Sequence, residues 1–170
     1  GKLPLLQAGK ALQDEILNPQ MSFDEDTGVL AAETKLAQNA KKVALMVLGT
    51  AAQKYMMGLS EQQEVLLNCA DIIMDAYQME TAILRAKKHA EAKGEESAAR
   101  YIDMASVFCN DAIQRVEAKA KNTIAAIAEG DEGRTLLVAL KRFTKNNSPV
   151  NTIATRQRIA DVLIGANTYT

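Results

Sequence analysis

The stretch Ser60 to Gly94, SEQQEVLLNCADIIMDAYQMETAILRAKKHAEAKG, decides the fold. It opens on Ser60 with Gln63 three residues later, the pair of a capping box: the hydroxyl accepts an orphan N–H and the amide reaches back. It closes on Gly94, which can take the left-handed backbone that ends helices. Lys87, Lys88 and Lys93 sit where the negative end of the helix dipole favours cations. At about 100° per residue, Leu66, Cys69, Ala70, Ile73, Ala76, Tyr77 and Leu84 fall on one arc, while Glu64, Asp71, Asp75 and Ala82 lie roughly opposite. The spacing predicts one long helix with a buried face and a wet face.

The same period recurs on both sides. From Gly28 to Leu59 apolar residues return at Leu36, Ala40, Val43, Val47 and Ala51, and the run from Val43 to Gln53 carries no charge. That section needs cover on more than one side, yet it is too short for a bilayer, which takes about 20 apolar residues. A third long helix is expected from Ala98 to Ala128, with Ile102, Ala105, Cys109, Ala112, Ile113, Val116, Ala120, Ile124 and Ile127 on its stripe. Two shorter helices follow. One runs from Glu132 to Thr144 and is broken by Asn146-Asn147; the other starts at Ser148-Pro149, a cap followed by proline in the first turn, and runs to Gly165. At the amino terminus, Leu3-Pro4-Leu5-Leu6, Leu12, Ile16 and Leu17 make a short amphipathic helix before Asn18-Pro19. Short connections imply antiparallel neighbours. The reading is all-α: an antiparallel helical bundle of three long helices completed by shorter terminal helices. Residues 1–27 form a linker with a short amphipathic helix, and 28–170 form a single bundle domain.

Composition fits that class and narrows function. The chain has 170 residues, 48% of them apolar, which suits one domain with a real core. Tryptophan is absent, aromatics make up 4%, and no Val/Ile/Thr run alternates with period two, so strands are not expected. A formal charge of -1 argues against nonspecific nucleic-acid binding, and Lys41-Lys42, Lys87-Lys88 and Lys141-Arg142 read as solvated faces. Neither a signal peptide nor a membrane span is legible. The chain begins Gly-Lys, with its first methionine at Met21, and reads as a processed chain or an excised piece.

Chemistry can be tested motif by motif. If the second and third long helices form a hairpin centred near residue 95, Cys69 and Cys109 are separated axially by roughly 20 Å at ~1.5 Å per residue, too far for a disulfide. Both read as buried thiols in a reducing compartment. A di-iron bundle needs Glu-x-x-His from two helices; the single histidine is His89 and residue 86 is Ala. Asp24-Glu25-Asp26-Thr27-Gly28 resembles a calcium loop, but Lys35 stands where the bidentate Glu belongs, so Asp26 or Thr27 is expected to cap the next helix. Glu129 to Arg134 holds glycines without a phosphate-binding fingerprint, and no Gly-x-Ser-x-Gly is present.

Three features invite a sharper look. Glu80 falls within the apolar arc, and a buried carboxylate needs a partner. Antiparallel registers bring Lys41 and Arg115 near its level, so a buried ion pair is expected. Asp71 and Asp75, one turn apart, point away from that arc and, with Arg85, read as surface positions or contacts to another domain. Tyr77, Met79 and Leu84 are expected in the core, and Met46, Met56, Met57, Met74 and Met104 read as core filler. The amino-terminal segment either packs on the bundle, links to an upstream domain, or touches a membrane; it is less basic than a membrane-surface helix requires.

These residues carry a resemblance. Lys2-Leu3-Pro4-Leu5-Leu6, Glu61-Gln62 leading to Ala70-Asp71, Asp75, Tyr77, Met79 and Leu84-Arg85-Ala86, then Met104, Phe108-Cys109 and Ala112-Ile113 to Arg115, resemble the extra carboxy-terminal region of the very-long-chain acyl-CoA dehydrogenase family. The tail, Arg134 through Leu140 and Ser148-Pro149-Val150-Asn151, is most similar to bacterial members. The resemblance implies a parent oxidoreductase of fatty acid β-oxidation that converts acyl-CoA to trans-2-enoyl-CoA with FAD and an electron-transferring flavoprotein. It assigns no catalytic, cofactor-binding or metal residue to this chain, which would be inactive alone. It implies an appended helical domain that packs on the catalytic domains and influences dimer organisation, in the bacterial cytoplasm, with membrane contact possible. The alternative is a free-standing helical protein-interaction module.

Overall fold

The computed structural model describes residues 4–18 and 27–167. Six α-helices and one 3-10 segment follow in order: α1 (Pro4–Leu17), α2 (Ala31–Tyr55), the 3-10 segment Met56–Glu61, α3 (Gln63–Lys93), α4 (Glu95–Ile127), α5 (Gly130–Thr144) and α6 (Thr152–Ala166). No strand occurs among the described residues.

The element order matches the expectation, and the boundaries differ where local geometry wins. The Ser60 and Gln63 capping box does not form. Met56, at φ 47°, ends α2, the chain tightens into the 3-10 segment through Glu61, and α3 begins from Gln62 without a side-chain cap. Thr27 does not cap α2 either, because Leu30 occupies that position at φ 57° with no capping side chain; Asp26 and the rest of the calcium-like loop before Thr27 lie outside the described residues. The third long helix starts at Glu95 rather than Ala98, since Gly94 alone reverses the chain at φ 85°, ψ 157°, a conformation closed to other residues. Glu95 and Glu96 then favour the positive end of the α4 dipole. The last helix starts later than Ser148-Pro149 because Asn151 is the cap, its Oδ1 accepting from the N–H of Ala154 at 3.1 Å.

The three long helices form the bundle. Lys119 with Asp71, Arg115 with Asp75 and Tyr101 with His89 are contacts across α3 and α4. Each pair lies symmetrically about residue 95, by 24, 20 and 6 residues, the register of an antiparallel hairpin. Helix α2 runs parallel to α4: Ser106 donates to Glu33 at one end, and Lys54 and Tyr55 donate to the Ala126 carbonyl at the other. Helix α1 packs on α2 through the buried Leu12 and the Lys42–Glu15 ion pair at 2.6 Å.

Val43, Val47, Ile72, Met79, Val116 and Ile124 are fully buried at the centre. Each side chain of that size contributes about 1.5–3 kcal/mol by leaving water. Ala40, Ala51, Ala76, Ala86, Ala112 and Ala120 are buried between them and let the helix axes approach closely. On α3 the buried face is Val65, Cys69, Ile72, Asp75, Ala76, Met79, Ile83 and Ala86. It is rotated about one residue, roughly 100°, from the arc read off the sequence. Met79 is in the core as expected, whereas Tyr77 and Leu84 are exposed, as are Met56, Met57, Met74 and Met104. The 3-10 segment carries Met56 and Met57 out past the end of the bundle core, which leaves them unpacked.

Candidate functional site

The polar features expected to matter are spread along α3, and the chain partners them differently from the expectation. Glu80 is not buried. Its side chain is 43% exposed, and its Oε1 accepts from Lys41 Nζ of α2 at 2.5 Å. Arg115 is not part of that pair. Its Nη2 donates to Asp75 Oδ1 at 2.6 Å, and its Nε lies 3.2 and 3.3 Å from the two carboxylate oxygens, a forked grip. The buried carboxylate is therefore Asp75, 8% exposed, which corrects its reading as a surface position. It lies on the core side of the helix, where α3 and α4 meet, and the long Arg115 side chain reaches in from α4. One turn earlier, Asp71 accepts from Lys119 Nζ at 2.5 Å, so it too faces α4.

Arg85 stands apart from both aspartates. Its guanidinium lies 5.9 Å from the centroid of the Tyr101 ring, which Arg100 also approaches at 4.8 Å and His89 at 4.4 Å. These groups close the tip of the hairpin with cation–π and ring contacts. Sequence reasoning missed Lys119 and the two arginines that tie α6 to α4, Arg156 to Asp111 and Arg158 to Asp103. The signal for Lys119 was present: the same symmetry about residue 95 that separates the cysteines places position 119 opposite position 71.

The two cross-helix ion pairs, Asp71 with Lys119 and Asp75 with Arg115, clamp α3 to α4. Hydrogen bonding to Asp75 holds the Arg115 guanidinium above its already high value, against a smaller opposing effect of burial. Cys69 and Cys109 are free and buried; burial raises both thiols, and Cys109, near Glu33, is pushed up to about 12. A thiol so far above neutral pH is a poor nucleophile. Among the described residues no group of three His, Cys, Asp or Glu could hold a metal ion.

A groove of about 380 Å³, open to solvent, lies between α4, α5 and the loop after α5; Asn110, Gln114, Glu117, Lys141 and Lys145 line it. The groove is at the small end of the range of ligand sites. Its lining contains no aromatic ring to stack on a flavin and no glycine-rich turn to cradle a pyrophosphate. This groove's lining does not fit FAD. No described helix is long and apolar enough to cross a membrane.

The fold and its cross-helix ion pairs together define an all-α domain whose charged groups fasten helix to helix. The family model for the acyl-CoA dehydrogenase C-terminal domain matches residues 39–142, and the chain belongs to that family. It is similar along its whole length, at 38% identity over 170 residues, to a probable acyl-CoA dehydrogenase of Bacillus subtilis strain 168, of which it covers 28%. Its fold superposes on the crystal structure of an acyl-CoA dehydrogenase complexed with FAD from Bacillus anthracis with a TM-score of 0.94 and 39% identity, covering all of this chain and 29% of that one. The chain thus spans under a third of the relatives it matches.

Proposed function

We propose that this chain is the appended carboxy-terminal bundle of a flavin-dependent fatty acyl-CoA dehydrogenase, a domain that packs on the catalytic portion and performs no chemistry itself. The observation that carries this reading is the match along every residue of the chain to under a third of a longer dehydrogenase. The parent enzyme binds FAD and oxidises acyl-CoA to the enoyl thioester; the flavin and the proton-abstracting base reside outside these 170 residues. Within the chain, residues 28–170 act as the bundle and 1–27 as the segment that leads into it. The bundle's paired carboxylates serve shape: Asp75 with Arg115 and Asp71 with Lys119 fix α3 against α4, so that the outward surfaces are presented rigidly. The parent works in the cytoplasm.

The full-length protein of which this is a part should purify with bound FAD, and its flavin absorbance should bleach when a long-chain acyl-CoA is added. This chain alone should be helical, colourless and without turnover. Tight FAD retention by the isolated chain would overturn the reading, as would a full-length protein that carries no flavin.

A further inference from the structure

Helix α3 has more apolar circumference than its neighbours cover. At about 100° per residue, Leu66, Ala70, Ile73, Tyr77 and Leu84 follow one line beside the buried face, and Leu67, Met74 and Thr81 follow the next line outward. None of these eight positions carries a charge; the charges that border them, Glu80 on the edge toward α2 and Arg85 just past Leu84, are engaged by Lys41 and by the Tyr101 ring. Leu67, Met74, Tyr77 and Leu84 are each more than half exposed, and Ile73 nearly so. The lines lie on the side of α3 away from its aspartate contacts with α4; the described helices cover Leu66 in part and leave Leu67, Met74, Tyr77 and Leu84 open.

Size selects the occupant. From residue 66 to residue 84 the strip is about 27 Å long at ~1.5 Å per residue and no wider than a helix, ~10 Å, a footprint of roughly 300 Å². That is comparable to the largest apolar patches of ordinary monomers, which are often functional. It falls well short of the ~800 Å² per partner that holds two free proteins together. A tethered surface faces no such requirement, because a covalent link supplies an effective concentration in the ~mM range. The longer relatives carry more than two thirds of their length outside the part that matches this chain.

We propose that the uncharged strip of α3, centred on Ile73, Met74 and Tyr77, is the face that docks against the catalytic portion of the same polypeptide. The inference rests on the reading of the chain as part of a longer dehydrogenase. It assigns the contact to this strip rather than to the ion-paired aspartates, which are turned toward α4. The matching surface on the catalytic portion is apolar and uncharged.

Methionine oxidation by dilute peroxide in the full-length enzyme tests it. Met74, about half exposed in this domain, should oxidise about ten-fold or more slowly in the native enzyme than in the same protein unfolded in urea. Tyr77→Glu, at a position two-thirds exposed in the domain, should bring Met74 most of the way back to the unfolded rate. A Met74 that oxidises within a few-fold of the unfolded rate overturns the docking. Protection that disappears on dilution, in step with dissociation to monomers, also overturns it and gives the strip to a second copy. Flavin measured on the same sample separates the two levels: bound flavin with an open Met74 sinks the docking alone, whereas a flavin-free protein sinks the domain assignment and the docking with it.

Discussion

Arg115 of α4 reaches across to Asp75 of α3 and holds its carboxylate with Nη2 at 2.6 Å, inside a face otherwise built from Cys69, Ile72, Ala76 and Met79. A carboxylate there has lost most of its water and depends on that fork. Arg115→Ala should therefore lower stability by about 1–3 kcal/mol, less than the ~3–5 kcal/mol that breaking a fully buried pair costs, because the arginine side chain is 44% exposed and water can enter beside it. Replacing both residues with leucine should recover most of the loss, since no charge is then stranded. Urea unfolding measures both; an R115A midpoint equal to that of the parent sequence would mean Asp75 is solvated after all.

The rotated face of α3 makes a second, paired prediction. Met79 is fully buried and Tyr77 is 67% exposed, although both are apolar and two residues apart. Met79→Ala should cost about 2–5 kcal/mol in this domain by opening a cavity. Tyr77→Ala should change stability by no more than about 0.5 kcal/mol. If the two losses came out reversed, the face read from the sequence would be the buried one.

The reason that phase was illegible lies in the residues themselves. Helix existence was plain from the period, from Gly94 and from the break at Asn146-Asn147, and the hairpin register followed from chain length about residue 95. The azimuth of α3 was not, because apolar residues cover more than half its circumference: Val65, Ile72 and Ile83 on the core side, and Leu66, Ile73, Tyr77 and Leu84 beside them. Periodicity finds the centre of all apolar residues, and here that centre lies between the face the bundle buries and the strip it leaves open. The charged positions deepened the error. Asp75, buried with a partner, looked like a surface residue, and Glu80, at the rim with Lys41, looked like a buried one. Only a cross-helix partner distinguishes those cases, and that information belongs to tertiary packing rather than to the sequence of one helix.

Gly94 should not tolerate a side chain. A Cβ there would meet nothing within 4 Å, so space is not the obstacle; the backbone at φ 85° is. With ψ at 157° this is territory that is essentially glycine's alone. Gly94→Ala should cost about 1–3 kcal/mol and act on the hairpin that joins the two longest helices. Thermal unfolding by circular dichroism reads it. An alanine variant as stable as the parent would mean that the α3–α4 turn takes another conformation.

The last prediction concerns alkaline pH and rests on Cys109. Burial first, and the Glu33 carboxylate second, push its thiol from the ordinary 9.0 up to about 12. Above pH 9 the unfolded chain sheds this proton while the folded chain keeps it, so the unfolded state binds fewer protons and stability falls as pH rises. The contribution is fully present below pH 9 and is lost between 9 and 12, at up to about 1.4 kcal/mol per pH unit. Other groups titrate in that window, so the slope must be compared between sequences rather than taken alone. Cys109→Ala gives up some packing at neutral pH, since the side chain is fully buried, but its stability should decline less steeply from pH 9 to pH 11 than that of the parent. Parallel declines in urea midpoints over that range would show that the thiol ionises as easily in the fold as out of it.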